Sequence, residues 1–142
     1  MIITVTANVD TDINSTNSSG SSGLSAEITT LKKHPEKIEF DRVIQLIAQY
    51  YDYMPARFTN GSRGDEDSVV NVAGTNEGSC KIFAFAQIQQ FDEQLTLNCF
   101  GRYYRDDVLG FPDRDDHANI RNFMKYGWPG IAFESCALKA LS

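Results

Sequence analysis

Apolar positions are densest over residues 76–91, where NEGSCKIFAFAQIQQF wound as a helix is apolar on nearly every side of its first two turns. Ile82, Phe83, Phe85, Ala86 and Ile88 leave only Lys81 and Gln87 as polar interruptions there. A helix of that kind is surrounded by other elements, so the pattern predicts a buried central helix over about 77–91. A second helix is predicted over 40–53. Val43, Ile44, Ile47, Tyr50, Tyr51 and Met54 recur at steps of three and four, Asp41 stands where the helix dipole favours a negative charge, and Pro55 helps to end the segment. After the central helix, Asp92 can cap a third, whose inward stripe is Leu97, Phe100, Tyr104 and Val108 and whose end is marked by Gly110 and Pro112. A last helix over about 116–126 turns Ile120, Phe123 and Met124 inward and stops at Gly127. Towards the front, Ser25 offers an N-cap for a short helix carrying Ile28 and Leu31, which should stop near His34 because Pro35 disfavours helical geometry in the residue before it.

Strand signals are fewer. Phe58-Thr59, Asn60-Gly61 and Val69-Val70-Asn71-Val72 predict a hairpin over about 57–72. Asn-Gly favours a type I′ turn, but the residues up to Ser68 suit a longer loop, so the turn type stays open. Asp65, Glu66 and Asp67 in that loop lack the spacing of a calcium-binding loop and read as solvated charges. Trp128-Pro129-Gly130 is a turn, and residues 131–133 alternate like a strand that would join the hairpin as a third. The resulting fold class is α+β, mainly α: about five helices around the buried central one, with a small antiparallel sheet. Residues 4–23 are dominated by Thr, Asn, Ser and Gly, a composition that buries too little apolar surface to offset the entropy of ordering. The organisation expected is a flexible tail over 1–23 and a single globular domain over 24–142.

Composition adds exclusions. The 142 residues are 42% hydrophobic and 11% aromatic, enough for one sizeable core. Nineteen acidic against thirteen basic side chains give a net charge of -6 with no basic patch, so neither nucleic acid nor an anionic membrane surface is an expected partner. No apolar run approaches the ~20 residues of a membrane-spanning helix, and the N-terminus lacks the layout of a secretory signal. Three cysteines, Cys80, Cys99 and Cys136, form no CxxC pair. They signal neither a disulfide framework nor a cysteine-rich zinc site, and fit a reducing, cytoplasmic setting. A monomer without metal or cofactor is the expectation.

Two residues fall where helix starts could give them chemistry. Cys80 lies near the beginning of the central helix, where the dipole and unpaired N–H groups lower a thiol pKa and could receive an oxyanion; cysteine is equally among the most commonly buried residue types, which makes inert packing the competing reading. His117 lies in the first turn of the last helix beside Asp115 and Asp116, facing the apolar stripe, either as a general base oriented by Asp116 or as a hydrogen-bonded core histidine. The candidate catalytic set is therefore Cys80, His117 and Asp116, serving a cysteine-dependent hydrolase or transferase. The candidate ligand or partner surface is Glu77, Tyr103 and Trp128. The Gly-Ser-Cys entry superficially resembles the nucleophile segment of papain-like proteases, but His117 is predicted helical and close in sequence, unlike that family's histidine. The segment GTNEGSCK also lacks the ending of a phosphate-binding P-loop.

Three segments taken together, AGTNEGSCKIFAFA (73–86), CFGRYYRDDV (99–108) and DDHANIRNFMKYGW (115–128), resemble the HopJ family of type III effectors. The similarity runs from about Leu31 to Leu138 and leaves out the Ser/Asn-rich front. It implies delivery through a type III secretion system into host cells, and it implies no reaction and no catalytic residue set; the function expected beside the enzyme reading is a small effector-type protein whose helices and aromatic rim engage a host protein or small ligand.

Overall fold

The structure is a computed structural model that describes residues 16–62 and 66–141. The chain divides into two compact units, residues 1–33 and 34–142. In the first, helix α1 runs Thr16–Lys33, ends just before Pro35, and carries Lys32 and Lys33 in its last turn, where they complement the dipole. It starts well before Ser25. Ser and Gly are poor helix formers, but once the turns around Ala26 and Ile28 exist, each further residue adds a backbone hydrogen bond, which favours propagation over fresh nucleation. The helix thus takes in residues 16–23 of the expected tail, and residues 1–15 lie outside the described residues.

The second unit opens with α2 (Phe40–Tyr50), which buries Val43, Leu46 and Ile47. The helix stops short of the predicted Tyr53, because Tyr51–Tyr53 becomes strand β1 and pairs antiparallel with β5 (Leu138–Ala140), Tyr51 opposite Ala140. Aromatic residues in alternation suit a half-buried strand; Tyr51 turns inward onto Phe85, their ring centroids 5.9 Å apart. The C-terminal strand that supplies the backbone partners is remote in sequence, so local periodicity gave no hint of it. The other sheet has the predicted composition. Strands β2 (Phe58–Asn60), β3 (Val69–Asn71) and β4 (Ile131–Phe133) lie in the order β3-β2-β4, all antiparallel, with Phe58 opposite both Asn71 and Phe133.

Helix α3 (Glu77–Gln89) is the central helix, with Cys80 and every residue from Ile82 to Ala86 buried. Phe83 is its hub: its ring meets those of Phe123 at 5.0 Å, Phe100 at 5.4 Å, Phe58 at 5.9 Å and Trp128 at 6.3 Å. Helix α4 (Glu93–Asn98) is capped by Asp92, whose Oδ1 accepts from the Leu95 N–H at 2.8 Å. The single helix predicted from Asp92 to Val108 is interrupted. Gly101 takes φ +60°, and a Cβ there would stand 2.7 Å from the Phe40 backbone nitrogen; only glycine fits that turn. The chain resumes as a π-helical segment, Tyr103–Val108. Leu97, Phe100, Tyr104 and Val108 are nevertheless all buried, because the break and the wider turn together return the stripe to the core.

Helix α5 (Ala118–Tyr126) buries Asn119, Ile120, Asn122 and Phe123 and closes at Gly127, φ +65°. Met124, predicted to face inward, is 45% exposed. The inner face includes two asparagines that an apolar stripe does not count, and it is rotated accordingly. Among the described residues no helix is long and apolar enough to cross a membrane.

Candidate functional site

The starts of α3 and α5 face one cleft of about 370 Å³ lined by Phe40, Val69, Asn76, Gly78, Ser79, Phe100, Tyr103, His117, Ala118, Asn119 and Ile120. Both helices begin in the same unusual way. Asn76 (φ 49°, ψ 46°) and His117 (φ 53°, ψ 48°) are left-handed N-cap residues, and neither side chain caps its own helix. Left-handed backbone is costly for residues with a side chain and persists where the surroundings hold it. Here the side chains are drawn elsewhere: Asn76 Nδ2 donates to Asn71 Oδ1 at 2.7 Å, and His117 Nε2 lies 3.1 Å from Asp107 Oδ2. The first intrahelical bonds are Cys80 N–H to Asn76 and Ile120 N–H to His117, so Gly78, Ser79, Ala118 and Asn119, which all line the cleft, have amides with no acceptor inside their helices. Positive potential from two helix dipoles collects there.

Asparagines hold this geometry. Asn119 at the start of α5 donates to Asn71 Oδ1 on β3 at 2.8 Å, and its Oδ1 accepts from Asn60 of β2 at 3.0 Å and from Asn71 at 3.1 Å. Asn60 also donates to the Asn119 carbonyl at 2.8 Å, and Asn122 to the Asn60 carbonyl at 3.0 Å. Asn60 and Asn71 are wholly buried. Their amide N–H groups find acceptors across the sheet and α5, while Asn60 Oδ1 is buried without a hydrogen-bond partner among the described residues; the bonds that are made fix the direction as well as the distance between elements.

The cleft also has an aromatic lining. Phe40, the first residue of α2, packs edge-on to Tyr103 at 5.2 Å, and Tyr103 lies 5.4 Å from the His117 ring. Gly78 makes this possible, since a Cβ there would come 2.7 Å from the Phe40 ring. The π-helical segment that presents Tyr103 is tied down by Arg105, whose guanidinium donates to the carbonyls of Pro35 and Ile38 and to Asn98.

The residues singled out in the sequence disperse around this cleft. Tyr103 and His117 line it; Cys80 does not. Its thiol is 1% exposed and donates to the Ala56 carbonyl at 3.7 Å. Burial raises its pKa, outweighing that hydrogen bond, which reverses the direction expected from a helix start alone. Cys80 and His117 thus have separate partners. Asp116 does not orient the imidazole: its carboxylate binds Arg121 at 2.7 Å, which holds its pKa below the ordinary range, and Asp107 is the group that meets His117. His117 is the cap of α5 and not part of its first turn, as the sequence had suggested. Glu77 is an exposed first residue of α3 outside the cleft lining. Trp128 seals the core instead, its indole N–H donating to the Phe91 carbonyl at 3.0 Å and its ring 4.9 Å from Phe123. Phe40, Asn76, Ser79 and Asn119 were missed as site residues. The available signal was the recurrence of Asn at inward strand and helix positions, together with the readiness of Asn and His to adopt left-handed backbone. Among the described residues no group of three His, Cys, Asp or Glu side chains is placed to hold a metal ion.

Comparison with known proteins gives two findings. The HopJ family, described as HopJ type III effector protein, matches residues 24–138. The chain is also similar to the crystal structure of VPA0580, a protein of unknown function, at 49% identity and a TM-score of 0.77, over 83% of this chain and 93% of that one. No curated protein matches.

Proposed function

Because the chain belongs to the HopJ type III effector family, we propose that it works as a small binding protein of the effector type, engaging a small ligand in the cleft between the starts of α3 and α5. The observation that carries this reading is the composition of that cleft: about 370 Å³, with the aromatic residues Phe40, Phe100 and Tyr103 and the polar residues Asn76, Ser79 and His117 in one lining. Small-molecule sites have this character, apolar walls with a few placed polar groups. The ligand suited to it has a flat, partly apolar body to lie on Phe40 and Tyr103 and an acceptor-bearing or anionic edge to meet the helix starts. Delivery into a host cell by type III secretion belongs to the same proposal and rests on the family alone.

The test is a two-dimensional amide NMR screen of the protein against a library of flat aromatic carboxylates and their neutral amides. The expected result is saturable shifts centred on Gly78, Ser79, Ala118 and Asn119, stronger for the carboxylates. Shifts that avoid these residues, or none at millimolar concentration across the library, would overturn the reading.

A further inference from the structure

A second cavity, of about 450 Å³, is lined by Glu39, Phe40 and Asp41 at the start of α2 and by Arg102, Tyr103 and Arg105 at the start of the π-helical region. Phe40 and Tyr103 also line the first cleft; the four charged residues do not. The two segments meet backbone to backbone. A Cβ on Gly101 would stand 2.7 Å from the Phe40 nitrogen and 3.4 Å from the Glu39 Cα, so a glycine turn brings residues 39–41 and 102–105 to one cavity.

Opposite charges share this cavity without pairing. Among the described residues the carboxylates of Glu39 and Asp41 have no hydrogen-bond or ion-pair partner. Arg102 lies over the Tyr103 ring, 5.6 Å from its centroid, a cation–π contact in place of a salt bridge. Arg105 donates to the carbonyls of Pro35, Ile38 and Asn98 and to the Asn98 side chain. Those acceptors are all neutral, so they fix the guanidinium and leave its charge uncancelled. The lining therefore offers two anions, two cations and two rings in a volume typical of small-molecule sites.

A ligand of one sign is attracted by one pair of these charges and repelled by the other. A phosphate would meet Arg102 and Arg105 but set its own negative charge beside Glu39 and Asp41. A ligand with both signs on adjacent groups gains from both pairs. We infer that this cavity binds a free α-amino acid with an aromatic side chain, its carboxylate on Arg102 and Arg105, its ammonium on Glu39 and Asp41, and its ring against Phe40 and Tyr103. Charge-assisted hydrogen bonds are the strong ones, and contacts between rings add to the area they bury. The inference does not rest on ligand binding in the first cleft, whose lining holds neither a carboxylate nor a guanidinium.

The experiment uses the full chain and two-dimensional amide NMR with four probes. L-phenylalanine has both charges and the ring, 3-phenylpropionate lacks the ammonium, phenethylamine lacks the carboxylate, and L-alanine lacks the ring. L-phenylalanine is expected to shift the amides of Asp41, Arg102 and Tyr103 saturably and to bind about tenfold more tightly than each of the others. Two exposed changes assign the charges: Asp41→Asn should narrow the advantage over 3-phenylpropionate, and Arg102→Gln the advantage over phenethylamine. Equal binding of any single-deletion probe, an affinity unchanged in both variants, or no shift at millimolar L-phenylalanine would overturn the inference. Shifts confined to Gly78, Ser79, Ala118 and Asn119 would overturn it too, and would leave the first cleft standing as a ligand site. Aromatic carboxylates that miss the first cleft would overturn that reading alone.

Discussion

The interior contains two buried regions built on different physics. Around Phe83, α3 packs four rings from elsewhere in the chain, an assembly held by area and shape. At the junction of the three-stranded sheet with α5, Asn60, Asn71, Asn119 and Asn122 are buried too, yet amides do the holding. Apolar packing is forgiving in direction and strong in sum. A buried amide network contributes less per contact, but each partner must sit in one orientation or leave a polar group stranded. The aromatic region accounts for the existence of the fold. The asparagine junction sets the angle at which α5 and α3 open onto the cleft.

The largest effect expected is at Phe83. Phe83→Ala removes a ring that touches four others and should cost about 3 to 5 kcal/mol in urea unfolding, from lost transfer energy and the cavity left behind. A loss under about 1 kcal/mol would mean that the central helix does not organise the core. Asn119→Ala should cost less, about 1 to 3 kcal/mol, by stranding the Asn60 and Asn71 amides. Asn119→Leu sharpens the contrast: an apolar side chain of similar bulk should rescue nothing, whereas equal stability in Asn119→Leu and the parent would make the junction an ordinary core.

Cys80 belongs with the first region and not the second. Its buried, raised-pKa thiol should resist iodoacetamide in the native protein and react only as the chain unfolds, while exposed Cys136 is modified readily and serves as an internal control. Rapid alkylation of Cys80 at neutral pH, read by mass spectrometry, would return it to the catalytic candidates.

The smallest effect is electrostatic. Asp67 is held below its usual pKa chiefly by its hydrogen bonds to Lys125 and Tyr126. Its contribution is therefore fully present above the unfolded carboxyl value of about 3.9 and is lost as pH falls through the lower folded value. Asp67→Asn should flatten the acid limb of a melting-temperature profile and change little near neutrality. An unchanged acid limb would show that this exposed contact is solvated away.

The same division explains what could be read from the sequence. Apolar spacing located α3, the burial of Leu97, Phe100, Tyr104 and Val108, and the hairpin with its third strand, because hydrophobic periodicity reports burial directly. It failed where partners are distant or the backbone is special. Tyr51 leaves its helix to meet Ala140, which no local pattern announces. The turn at Gly101 depends on the backbone of Phe40, and the π-helical segment after it on the carbonyls that Arg105 collects. The cleft was the least legible part. Tyr103 and His117 were found, but the residues that position them are asparagines and a phenylalanine at a helix start, types that polarity patterns assign to loops or core. Cys80 drew attention through its place at a helix start, and burial rather than the dipole decides its character.

On the function proposed above, ligand binding occurs at the cleft held by the asparagine junction and not at the buried thiol. It is tested most directly by calorimetric titration of one cleft-binding aromatic carboxylate into the parent chain, Tyr103→Ala and Cys80→Ala. Tyr103→Ala is expected to weaken the Kd at least tenfold, about 1.4 kcal/mol, while Cys80→Ala leaves it within about twofold. An affinity that survives Tyr103→Ala and is lost in Cys80→Ala would contradict it.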